Sequence, residues 1–202
     1  FNQINVLVNG SSVATANVTG GIRSEISSHV ATFNGSDQML ITTGHSDLRL
    51  TGDMTAEAWI KPSALPSNGS ETSFIAIGGP SGYGDAPGNN FLFLAQITSG
   101  GNIRVLHEHN SDGDNTIVNF SNAGITLNEW AHVAISRDVS THTYRLYIDG
   151  ELVDTESYPA NQDPVGGTAG ELPLGAESIN GGGIQAEFTG QTEDVRTRSI
   201  AP

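Results

Sequence analysis

The sequence contains no cysteine, which removes disulfides, thiolate metal sites and cysteine nucleophiles together. It is almost without lysine, Lys61 being the only one. Positive charge is scarce throughout, with 8 Lys+Arg against 22 Asp+Glu and a net charge of −14. Such a surface repels phosphates, so a nucleic-acid partner is excluded, and a polybasic membrane patch with it. Long apolar runs are missing too. The longest, Phe91-Leu92-Phe93-Leu94-Ala95, falls far short of the ~20 residues of a membrane helix and suits a buried strand. No membrane insertion is expected. The chain opens at Phe1 without a starting Met or a signal-peptide pattern, and is read as a processed product or a piece of a longer polypeptide.

Helical periodicity is the remaining absence. Apolar residues recur at every second position and almost never at 3.6. Gly, Ser, Thr and Asn make up 79 of the 202 residues, the composition of turns and strand edges. Alternation predicts strands over 4–8, 30–33, 38–42, 54–61, 73–78, 90–98, 103–108, 116–120, 130–137, 143–148, 152–158, 172–174 and 187–196. In 54–61, Met54, Ala56, Ala58 and Ile60 share one face, and Thr55, Glu57, Trp59 and Lys61 the other. Asp149-Gly150 joins two such segments and predicts a type I′ hairpin turn, which needs positive φ at both residues. About a dozen short strands at this spacing give an all-β, two-sheet sandwich or barrel. At this length the chain is read as one domain. Residues 1–26 are either an N-terminal arm or the first strands of that domain.

The most chemically loaded segment is His107-Glu108-His109-Asn110-Ser111-Asp112-Gly113-Asp114-Asn115. On a strand, His107 and His109 share a face at a spacing that a transition metal can use. Asn110, Asp112 and Asp114 fall at alternate positions around a glycine, like the start of a calcium loop, though no closing bidentate Glu follows. An acidic hairpin turn with exposed or hydrogen-bonded histidines is the plainer reading. Tyr83, Asp85, Asn89 and Asn90, in the Gly-rich stretch 78–90, are candidates for contact with a glycan or a protein edge. The alternative is a solvated loop.

Four segments in order resemble the laminin-G-like branch of the concanavalin-A-like jelly rolls. They are ATFNGSDQMLIT (31–42), MTAEAWIKP (54–62), EWAHVAISRD through YRLYIDGELV (129–153) and FTGQTEDVR (188–196). The resemblance covers about 29–196, with Thr192-Glu193 replacing the usual apolar-Asp pair. It implies a jelly-roll sandwich of two antiparallel sheets over 27–202, with termini on neighbouring strands. It also implies binding more often than catalysis. Sandwiches of this kind often hold a Ca²⁺ between an early loop and the last strand, and the matching positions lie near Asp37 and Asp194. Family position further implies that Trp59 and Trp130 belong to the core, with His132 packed beside Trp130.

Catalytic signatures of the fold are missing or incomplete. The glucanase pattern Glu-x-Asp-x-x-Glu, which lines three carboxylates along one strand face, does not occur. Arg23-Ser24-Glu25-Ile26 and Gln96-Ile97-Thr98 echo two of three alginate-lyase motifs, the second without its His. The resulting expectation is a non-catalytic recognition or adhesion module for a glycan or surface protein. Its expected setting is extracellular, on a cell surface or on a virion exterior. Two alternatives stand beside it. One is a structural building block such as a phage capsid decoration or fibre protein, self-assembling or in contact with capsid or tail. The other is a glycoside hydrolase or polysaccharide lyase on the same fold.

Overall fold

Strand β5 (Met54–Pro62) shows how the sequence builds the sheets. Met54, Ala56, Ala58 and Ile60 are buried, while Thr55, Glu57 and Lys61 are half-buried and Trp59 is exposed. A two-residue period pinned to one apolar face fixes both register and sidedness. The computed structural model describes residues 3–8, 11–17, 30–42, 46–78, 91–109, 114–165, 171–179 and 183–199.

Among these residues the first strands are β1 (Gln3–Val8), β2 (Ser11–Asn17), β3 (Ala31–Asn34) and β4 (Gln38–Thr42). After β5 come β6 (Glu71–Gly78), β7 (Phe91–Thr98), β8 (Ile103–Glu108), β9 (Asn115–Phe120) and β10 (Ala131–Asp138). The chain continues through β11 (Thr143–Ile148), β12 (Glu151–Ser157) and β13 (Pro173–Leu174). It ends with β14 (Glu177–Ile179), β15 (Gly183–Gln185) and β16 (Thr189–Arg198). The only helical element among the described residues is a 3-10 turn at Ser46–Leu48.

An eight-stranded sheet runs β2-β1-β4-β13-β6-β7-β8-β9, and a six-stranded sheet runs β12-β11-β10-β5-β16-β3. The pairings between these strands are antiparallel throughout, as in a jelly-roll sandwich. Between the sheets lies one core. Met54, Ile60, Val133, Ile135 and Leu146 come from the six-stranded side, and Ile75, Ile77, Phe93, Val105 and Phe120 from the other. Asp149 and Gly150 take φ of 52° and 85°, and Ile148 pairs with Glu151 across them, as the type I′ reading requires.

Strand β1 pairs with β4 from Ile4↔Thr42 to Val8↔Gln38, so the N-terminal segment extends the eight-stranded sheet. The termini do not lie on neighbouring strands as the resemblance implied: β16 borders β3 and β5, whereas β1 belongs to the other sheet. The hairpin β14–β15 stands apart as a two-stranded sheet. It is tied to β6 by the Ser73 amide, which donates to the Ala186 carbonyl at 2.7 Å.

Candidate functional site

The continuous apolar run that opens β7 is buried on both faces. Leu92, Phe93, Ala95 and Ile97 point into the core between the sheets. Phe91 and Leu94 join Ala76 and Leu106 in a separate buried cluster, so something covers the outer face of the sheet here. Glu177 and Gln185 of the β14–β15 hairpin, with residues of 64–70 and 186–189, face this part of the sheet. Between them and the sheet opens a groove of about 680 Å³. Its floor carries Phe91, Leu94 and Leu106, with Gln96, Arg104 and Glu108 on the same strands.

Polar contacts lock the groove's walls to its floor. Glu177, 4% exposed, accepts from Ser73 Oγ at 2.6 Å and from Gln96 Nε2 at 2.6 Å on Oε1. Its Oε2 accepts from Gln185 Nε2 at 2.9 Å. Because a carboxylate only accepts, the Gln96 amide nitrogen must face Glu177, and this fixes the orientation of the side chain. Arg104 on β8 reaches across β7 to donate to Glu71 of β6. Gln96 Oε1 and Arg104 Nε are among the buried atoms lining the groove that have no hydrogen-bond partner among the described residues. One is an acceptor and the other a donor.

A second polar network runs through the core and explains the histidines. His107 is fully buried; its Nε2 lies 2.7 Å from the Gln162 carbonyl and its Nδ1 2.9 Å from the Tyr144 hydroxyl. A carbonyl can only accept, so Nε2 carries the proton and Nδ1 accepts from Tyr144. Tyr144 in turn accepts from Arg137 Nη1 at 3.3 Å. Burial, helped by the nearby Arg137 charge, pushes the His107 imidazole down to about 4 against the raising effect of the Gln162 carbonyl. Desolvation likewise raises the Tyr144 hydroxyl. Arg137, also fully buried, donates to the carbonyls of Leu92 at 2.9 Å, Gly52 at 2.9 Å and Leu50. Its charge is solvated by main-chain dipoles.

These contacts correct several expectations. His107 and His109 do share a face, but it is the inner one. His107 is spent on Tyr144 and Gln162, and His109 Nδ1 lies 3.0 Å from Thr116 Oγ1; Thr116 itself donates to Gln162 Oε1 at 2.9 Å. Both ring nitrogens of His107 are therefore engaged within the protein, as is Nδ1 of the half-buried His109. Trp59 and Trp130, expected in the core, are 39% and 36% exposed. Strand parity explains Trp59, which alternates with the buried Ala58 and Ile60. His132, opposite Trp59 in the pairing, sits 5.3 Å from its ring and faces outward near Glu57.

The residues near the proposed calcium clip do not fit one. Asp37 accepts from Asn34 Nδ2 at 2.8 Å in the β3–β4 turn. Asp194 pairs with Arg196 at 2.6 Å in a bulge of β16, at φ 51°. Asn34 pairs with Thr189, so Asp194 lies five residues further along β16, roughly 16 Å at strand rise. Asp114 is described, with its carbonyl accepting from the His109 amide at 3.1 Å. Asn110, Asp112, Tyr83, Asp85, Asn89 and Asn90 lie outside the described residues, as does Arg23–Ile26. Phe91, the first described residue after that Tyr83–Asn90 stretch, lines the groove.

With fold and groove in place, the family follows from a match of the laminin G-like model of the concanavalin A-like lectin/glucanases superfamily to residues 33–201. The chain belongs to this superfamily. Solved structures of similar fold include a native heptameric SAP-like pentraxin from Limulus polyphemus, with TM-score 0.57 and 15% identity, covering 100% of this chain and 78% of that one. Another is the CBM40 of the Ruminococcus gnavus IT-sialidase bound to alpha2,3 sialyllactose, with TM-score 0.60 and 17% identity, covering 87% and 91%. The binding domain of botulinum neurotoxin serotype D is also similar, with TM-score 0.60 and 16% identity, covering 98% of this chain and 48% of that one. At these identities the likeness is one of fold. No match was found among curated proteins.

The groove residues were almost invisible in the sequence. Gln96 stood out only through an incomplete lyase motif. The usable signal was the unbroken apolar run 91–95, since a strand apolar on both faces must be covered on both.

Proposed function

We propose that the chain is a non-catalytic carbohydrate-recognition module that binds its ligand in the groove outside β6, β7 and β8. The observation that carries this reading is the groove's floor. It combines an apolar patch with two unpartnered buried polar atoms of opposite kind, Gln96 Oε1 and Arg104 Nε. Orphaned buried groups of this sort call for a partner. A sugar supplies what they lack, because each hydroxyl both donates and accepts while the ring's C–H face packs on apolar side chains. The glycan-bound CBM40 of similar fold supports the reading. The proposal includes display on a secreted, cell-surface or virion exterior, in keeping with the lysine-poor, acidic composition.

Isothermal titration against glycans selected on an array tests it, on the parent chain and on Gln96→Leu. Micromolar-to-millimolar binding is expected, since an open groove buries little ligand surface, and Gln96→Leu should weaken it. Turnover of a polysaccharide, or unchanged binding in the variant, would overturn the reading. A fixed oligomer that binds no glycan would mark a structural building block instead. Calcium remains a proposal for Asp114 with Asn110 and Asp112. Running each titration with Ca²⁺ and with EDTA checks it, and Mg²⁺ at matched ionic strength separates site binding from screening.

A further inference from the structure

The groove's charge is lopsided. Glu71, Glu108, Glu177 and Glu187 line it, against a single cationic side chain among the described lining residues, Arg104. Arg104 is already paired with Glu71, so a ligand carboxylate seeking the guanidinium would displace one carboxylate and face three more. Gln96 Oε1, an acceptor without a partner, lies on a side chain only 5% exposed and asks for a donor. It is locked in that orientation by its bond to Glu177. Net negative charge in a concave, partly desolvated site acts more strongly than the same charge on open surface.

We infer that this groove selects saccharides by charge, taking sugars with free ammonium groups in preference to their N-acetylated forms and rejecting carboxylated ones. An ammonium offers three donors and no acceptor, which suits the carboxylates lining the groove and the acceptor-rich floor around Gln96. The inference rests on the carbohydrate reading and sharpens it. It also sets this chain apart from the CBM40 of similar fold, whose bound sialyllactose is an anion.

Three probes test it by titration at low salt and at about 0.3 M salt, where exposed charges are largely screened. They are a trimer of glucosamine, the same trimer fully N-acetylated, and 3′-sialyllactose. The glucosamine trimer should bind on the order of tenfold tighter than the acetylated one at low salt. That ratio should shrink with salt, and sialyllactose should bind weakest. Because the whole protein is acidic, two variants that each remove one carboxylate locate the effect. Glu187→Gln in the groove should lower the ammonium-to-acetyl ratio. Glu151→Gln, an exposed residue of β12 outside the groove, should leave the ratio as it is. Equal binding of the two trimers, or sialyllactose binding as well as either, overturns the charge selection while leaving the carbohydrate reading standing. Equal effects of the two variants overturn the groove as its seat. Failure of all three probes to bind overturns the selection, and an array on which no glycan binds overturns the carbohydrate reading with it.

Discussion

His107 holds its place in the core as a neutral imidazole, and that has a consequence for acid stability. Its proton affinity in the folded chain is depressed to about 4, whereas the unfolded chain takes up the proton near 6.5. Between these values the unfolded state binds more protons, so stability falls as the pH falls. The loss begins near pH 6.5 and is complete below about 4. At about 1.4 kcal/mol per pH unit it amounts to about 3 kcal/mol. Carboxylates titrate at the lower end of the same window, so the check is a difference measurement. Urea midpoints of the parent chain and of His107→Gln, followed from pH 7 to 4, should show a shallower acid slope in the variant. Parallel slopes would remove His107 from the acid response. The outward-facing tryptophans give a contrasting expectation. Trp59→Ala should destabilise by about 1 kcal/mol, well under the 3–5 kcal/mol of a core aromatic, because much of the ring already meets solvent and one side rests on His132. Chemical denaturation of Trp59→Ala beside Phe93→Ala separates the two cases, Phe93 being fully buried.

Among the elements, β16 is the most constrained. It is held between β3 and β5, and at Gly190 the backbone takes φ 154°. A Cβ built there would stand 2.5 Å from the Lys61 carbonyl oxygen and 2.8 Å from the Phe188 ring. Neither the paired β5 backbone nor a buried ring can give way cheaply. Gly190→Ala should therefore destabilise by about 2–4 kcal/mol, read as a lowered urea midpoint with unchanged m-value. Strands such as β5 and β11 were legible in the sequence because their apolar period is local and the Asp149-Gly150 turn fixes their neighbours. The same period also placed Trp59 with Glu57 and Lys61 on the outward face, and the expectation of a core tryptophan went wrong by setting family position above strand parity. The groove was not legible, for a physical reason. Ser73 and Glu177, which bond directly, are 104 residues apart, and no local period reports a contact of that range. The short strands β14 and β15 carry too little alternation to be seen.

The whole molecule carries a net charge of −14, and self-repulsion of that size weakens a folded chain when counterions are few. Raising monovalent salt from low to about 0.3 M should raise the melting temperature, since the Debye length then falls below the spacing of most surface charges. A melting temperature that ignores salt would mean that local pairs such as Arg198–Glu57 and Arg145–Asp138 already neutralise the surface.

The place of β16 in the six-stranded sheet also sets the order in which the sandwich is made. The strand at 189–198 fills an interior slot beside β5 at 54–62, so that sheet stays split into two pieces until almost the whole domain has been synthesised. β3 has no described sheet partner except β16. On a ribosome, a nascent chain arrested before Thr189 holds the hairpins of β10–β12 but leaves the edge of β5 open and β3 undocked. Closing a loop of this length is slow compared with making hairpins. Stalled chains should therefore remain sensitive to protease until β16 has cleared the exit tunnel, and then become resistant in one step.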